Sequence, residues 1–238
     1  MGGLFFVLKS GKENQMKQLK ILLVALVLFS TFAITAIAES EISENTDASI
    51  TFVATDESAT DPVNPDNPNE TGTETGTGMN GKLTLDYVPC FSFGSQNVGT
   101  GVETFTATNL KPFIQITDKR GTGDGWKIQV KLTDFSGDKG TFKAVLSLAN
   151  GESLSTTNNK STAPSVATPV TVTSGEGEVN VAIATTETKT GMGTWIVRWY
   201  PTETENTVND SVTLTMDTSS ILIGDYTATL DWIFTDAP

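Results

Sequence analysis

Trp126-Lys-Ile-Gln-Val-Lys-Leu132 alternates without a break: Trp126, Ile128, Val130 and Leu132 fall on one side, Lys127, Gln129 and Lys131 on the other. Successive side chains of an extended chain project to opposite faces, so this period of two predicts a half-buried β-strand. Near the C-terminus Tyr226-Thr-Ala-Thr-Leu-Asp-Trp-Ile-Phe234 repeats the pattern, with Tyr226, Ala228, Leu230, Trp232 and Phe234 in phase. A third stretch, Thr194-Trp-Ile-Val-Arg-Trp-Tyr200, aligns Trp195, Val197 and Trp199 against Ile196, Arg198 and Tyr200. In the first two, the Trp shares its face with the hydrophobe two residues later, Ile128 or Phe234.

The same alternation extends in both directions. Leu83, Leu85 and Tyr87 form one set, Ile114 and Ile116 another, and Phe142, Ala144, Leu146 and Leu148 a third. Val170-Thr-Val172, Val179 to Ile183 and Val212 to Met216 continue it, with Asn150-Gly151 and Ser174-Gly175 as turns. No amphipathic helical stretch stands out. Many short Thr- and Val-rich strands predict an all-β fold, a single β-sandwich or jelly-roll-like domain. It spans 82–238, and reaches back to 46 if Ser49-Ile-Thr-Phe-Val53 is a first strand. Residues 39–81 are acidic and rich in Thr, Pro, Asn and Gly, and predict a solvated linker or a long loop. The Asp and Asn within 61–70 lack the D-x-[DN]-x-[DN]-G spacing of a calcium loop, so no metal site is read there.

Residues 1–38 form a signal region. Lys17 and Lys20 precede the apolar run Ile21 to Ala33, and Ala36-Ile37-Ala38 closes it as an A-x-A cleavage site. Met16-Lys17-Gln18-Leu19-Lys20 is a more ordinary beginning than Met1, so Met16 is taken as the start and Ala38 as the last residue removed. The apolar core is too short to span a bilayer. Export is expected, with no transmembrane anchor left after cleavage.

Composition excludes much chemistry. The 238 residues contain no His and one Cys, which removes His-dependent acid–base and nucleophilic catalysis, thiolate zinc cages and intrachain disulfides. Cys90, between Pro89 and Phe91, is expected as a small buried hydrophobe, with intermolecular pairing the alternative. The formal charge is −13; removing residues 1–38 takes four Lys and Glu13 and leaves 11 basic against 27 acidic residues, net −16. Such an excess argues against nucleic-acid binding. No cofactor is implied.

The ordered series Leu83-Thr-Leu-Asp-Tyr-Val-Pro89, Phe91-Ser-Phe-Gly94, Gln115 to Ile128, Gly191-Met-Gly-Thr-Trp195 with Trp199, and Tyr226-xxx-Leu230-Asp-Trp232-x-Phe234-xxx-Pro238 resembles WxL-domain surface proteins of low-GC Gram-positive bacteria. Ile128 and Phe234 stand where the family has Leu, and Asp231 where it has Thr. The resemblance implies non-covalent attachment to the cell wall through peptidoglycan, often beside a co-encoded, membrane-anchored surface protein. No LPxTG-type signal or hydrophobic anchor follows Trp232, in keeping with non-covalent attachment. The motif residues Trp126, Ile128, Tyr226, Leu230, Trp232 and Phe234 are binding candidates that equally suit a buried core. A second candidate is the basic stretch with Lys119, Arg120 and Lys127, flanked by Lys111 and Lys131 and opposed by Asp118 and Asp124. A protein-docking module that pairs through an edge strand is the alternative, and a carboxylate-dependent glycan hydrolase a distant third.

Overall fold

The computed structural model describes residues 46–53, 57–200 and 209–236. The signal region, its cleavage site and Pro238 lie outside the described residues. Residues Thr51–Pro238 form one compact unit.

The described residues form fourteen strands and no helix. One antiparallel sheet joins β1 (Leu83–Tyr87), β3 (Phe113–Asp118), β12 (Gly193–Arg198) and β8 (Glu152–Ser155) in that spatial order. A second joins β10 (Val170–Thr173), β7 (Val145–Leu148), β13 (Val212–Asp217) and β2 (Val102–Thr106), and a third β14 (Leu230–Asp236), β4 (Trp126–Leu132), β11 (Val179–Ala184) and β9 (Ser165–Val166). A small hairpin, β5 (Phe135–Gly137) and β6 (Gly140–Phe142), completes the set. The expected all-β sandwich is thus built of three four-stranded sheets, whose apolar faces meet in one core containing Ile114, Ile128, Leu148, Val172, Val197 and Trp199. The strands β2 and β8 escaped the sequence pattern because both are sheet edges with mostly polar side chains.

Alternation predicted half-buried strands, yet every residue of β3 is buried and so is most of β12. Ile114, Ile116, Leu85 and Val197 face the core. On the opposite face Thr84, Asp86, Gln115, Thr117 and Arg198 are also buried, each at most 2% exposed. Buried polar groups must find partners, and the segment 57–81 supplies them. Gln115 Oε1 accepts from Val63 N (2.7 Å), while Gln115 Nε2 donates to Asp61 O and to Asp86 Oδ2, both at 3.0 Å. Arg198 donates to Pro65 O (3.0 Å) and to Glu152 Oε1 (2.7 Å), and its guanidinium lies 5.0 Å from the Tyr200 ring centre. Asp66 binds Lys111 and accepts from Tyr200 Oη at 2.9 Å.

Of the linker and the long loop expected here, residues 57–81 form the loop: a strap across the outer face of the first sheet, with most of 69–80 still exposed to water. Its Asn and Asp side chains close the strap's own turn, as in Asp66 N to Asn64 Oδ1 (3.0 Å) and Asn67 Nδ2 to Glu70 Oε1 (2.7 Å), and the Val63–Thr71 bridge seals the neck. Residues 49–53 carry no strand, and Phe52 and Val53 are each 86% exposed. Cys90 is exposed rather than buried. Its neighbours Pro89 and Phe91 turn inward, which leaves the residue between them facing water.

Two carboxylates in this network are shifted in opposite directions. Burial lifts Asp86 above its ordinary value of 3.8, overcoming the hydrogen bonds from Thr117, Thr84 and Gln115. Burial also opposes ionisation of Asp66, but Lys111, Tyr200 and Arg198 outweigh it and hold Asp66 below 3.8. A lowered carboxylate stabilises the fold above its unfolded pKa and loses that contribution as pH falls through its folded one; a raised carboxylate does the reverse. The stability gap between the parent and Asp66→Asn should therefore narrow between about pH 6 and about pH 3, as read by urea unfolding. Gln115→Ala strands Val63 N–H and removes one of the two hydrogen bonds to Asp86 Oδ2, leaving that from the Thr117 hydroxyl. It should cost about 2–4 kcal/mol and make residues 57–81 the first site cut in limited proteolysis.

Candidate functional site

The two W-x-hydrophobic motifs, far apart in sequence, lie on adjacent strands. In the antiparallel register of β14 with β4, Phe234 faces Ile128, Trp232 faces Val130 and Leu230 faces Leu132. All six side chains point to the core side of the third sheet. Trp126 and Ile128 are fully buried, and the Trp126 indole donates to Gly191 O at 3.1 Å. The Phe234 ring meets Trp126 edge-on at 6.3 Å between centres, and Trp232 lies 6.0 Å from the buried Trp199. Tyr226 departs from this row: it lies before β14, packs edge-on against Phe142 at 5.0 Å and donates its hydroxyl to Leu222 O.

The Gly191-Met-Gly-Thr-Trp195 segment explains itself in the same place. Gly191 has φ +74°, and a Cβ there would lie 2.5 Å from Ala184 Cβ and 2.8 Å from Trp126 Nε1. Only glycine combines that conformation with so close an approach. Its carbonyl then receives the Trp126 N–H, while Trp195 Nε1 donates to Met192 O at 3.0 Å. The motif tryptophans thus act as struts of the core. Their geometry leaves no indole face of Trp126 open to stack on a ligand.

The basic stretch is divided between tasks. Arg120 grips Asp118 through Nε–Oδ1 (3.0 Å) and Nη2–Oδ2 (2.8 Å), donates to Gly125 O (2.7 Å) and pairs with Asp236 at the end of β14. The Asp118 hydrogen bonds are the main reason its guanidinium is held protonated even more firmly than usual. Gly121, Gly123 and Gly125 all have positive φ, which wraps the loop around this pair. Lys119 donates from Nζ to Ser58 O (2.9 Å), and Lys111 is taken by Asp66. Lys127 stands apart from them, with Lys131, on the outer face of the third sheet opposite Thr235 and Asp231. An open cleft of about 330 Å³ lies among Phe52, Val53, Lys119, Arg120 and Met192, but its Arg is already engaged. Sequence reasoning missed the roles of Gln115, Asp86 and Arg198; the available signal was polar residues recurring in phase inside otherwise apolar strands.

An all-β domain whose two paired W-x-hydrophobic strands help build the core agrees with what the family comparison finds. The model for the WxL domain, described as surface cell wall-binding, matches residues 39–238, and the chain belongs to that family. No curated protein and no solved structure matches the chain.

Removing the Arg120 side chain leaves Asp118, whose side chain is wholly buried, without its counter-charge. Arg120→Ala should cost about 3–5 kcal/mol and speed hydrogen exchange at the end of β14. Trp126→Ala should cost about 3–5 kcal/mol, as a core deletion does, and any loss of wall binding should follow the lost fold in a thermal melt.

Proposed function

We propose that the protein is exported and held at the cell surface by non-covalent binding to peptidoglycan, acting as a binding rather than a catalytic module. The observation that carries this reading is the match of the surface cell wall-binding family along residues 39–238. It is supported by the strand pairing that unites both W-x-hydrophobic motifs in one sheet. The cations expected to meet an anionic wall are mostly turned to internal use, so direct attraction to wall phosphates or stem carboxylates contributes little. A chain with 28 acidic and 15 basic residues is instead repelled by such a surface.

The test is a pull-down of the purified protein on purified peptidoglycan with no other protein present. Retention should hold or increase as salt is raised from about 0.05 to about 0.5 M, because salt screens the overall repulsion. Retention that collapses with salt would restore Lys127 and its neighbours as the contact. A second reading is docking to a co-encoded, membrane-anchored surface protein, favoured by β14 lying at a sheet edge with one side unpaired among the described residues. Absence of binding to the bare polymer would turn the assignment to that reading.

A further inference from the structure

The outer faces of the three sheets differ sharply. The strap covers that of the first sheet, and the third carries Lys127, Lys131 and Asp231. The second sheet buries Val170, Val172, Leu146, Leu148, Val212 and Leu214, so the residues between them face outward. Their register sets Thr171, Ser147, Thr213 and Thr106 side by side across the four strands. The next row is Thr173, Val145, Thr215 and Thr104. Three of the four strands thus present the same Thr-x-Thr pair, in register, and none of the eight side chains ionises. Asp217, next in phase beyond them, is turned to Ser219 at the strand end.

Sheet geometry spaces such hydroxyls by about 4.8 Å across strands and about 6.8 Å along them. Thr104 and Thr215 bond each other through their hydroxyls at 2.8 Å. Among the described residues the hydroxyls of Ser147, Thr106, Thr171, Thr173 and Thr213 make no side-chain hydrogen bond, leaving donors and acceptors free for a partner.

Resting on the wall-binding reading, we propose that this hydroxyl-bearing face of the second sheet is the surface that meets the wall, and that its occupant is the glycan strand rather than the charged peptide or phosphate. Each Thr offers a hydroxyl beside a methyl, which suits a sugar ring with its hydroxyls and C–H patches. A regular array suits a repeating polymer, where many weak contacts add through multivalency. The eight positions carry no charge, so contact through them adds no like-charge repulsion of its own between an acidic protein and the wall.

The experiment uses the full chain and purified peptidoglycan. Thr104→Glu with Thr106→Glu places two charges on exposed positions of the edge strand. Thr104→Val with Thr106→Val removes only the hydroxyls and keeps strand propensity. Lys127→Gln with Lys131→Gln changes the third sheet's face as a control, and every variant is read at about 0.5 M salt, where added charge is screened. The Glu pair should melt near the parent temperature and lose about tenfold or more of its retention, the Val pair should lose several-fold, and the Lys control should keep it. Should the Glu pair fail to fold, the Val pair decides. Parent-level retention by the folded Thr variants, or loss confined to the Lys control, overturns the assignment while leaving wall binding intact. A parent that does not bind peptidoglycan at all sinks the wall-binding reading and this face with it. Retention lost only because the Thr variants no longer self-associate in sedimentation would make the face a contact between copies, and also overturns it.

Discussion

The register of β14 on β4 is the constraint from which the rest of the domain follows. β14 comes near the end of the chain, and closing the loop back to β4 carries an entropic cost that local contacts cannot meet. What meets it is apolar burial: Trp232 against Trp199, Phe234 against Trp126, and Leu230 beside Leu132. Arg120 then ties Asp236, at the end of β14, to the Asp118 loop before β4. Because side chains alternate, a one-residue slip would turn Trp232 and Phe234 to solvent and Asp231 inward. The register has a single good solution.

The second constraint is electrostatic. The first sheet buries Asp86, Gln115 and Arg198 on a face that would otherwise be open to water, and that arrangement is stable only with the strap in place. The strap's composition looks disordered because its apolar residues are few, Ala59, Val63 and Met79 beside its prolines. Its backbone carbonyls and N–H groups are nevertheless what the sheet requires, and its Asp66 gathers Lys111, Tyr200 and Arg198. Positive charges on an acidic chain are consequently consumed inside the domain. That consumption moves the question of wall contact from charged loops to neutral surfaces.

Much of this could be read along the chain. The alternation in Trp126–Leu132 became β4 with the expected inside and outside, and the turns at Asn150-Gly151 and Ser174-Gly175 fall between strands, with positive φ at Asn150 and Gly175. Family membership was visible in the order of the aromatic and glycine motifs, and the family match over residues 39–238 bears it out. Other residues were not legible. Tyr226 shares the phase of β14 yet serves the β5–β6 hairpin, Cys90 faces out between two inward neighbours, and Arg120 is a clamp rather than a free contact. Each depends on which distant segment happens to lie alongside.

Local periodicity decided the strands, their facing and the all-β class, because a period of two reports on one chain's own geometry. It could not say whether a strand's polar face meets water, a strap or a ligand. Gln115, Lys127 and Thr213 look alike in sequence, each a polar residue between apolar neighbours. Folding makes the first a buried anchor for the strap, leaves the second half-buried on an outer face that carries charges, and sets the third in a ranked array of hydroxyls. The difference is long-range: what covers a sheet face is chosen by segments far away in the chain, through hydrogen bonds and burial that no local pattern encodes.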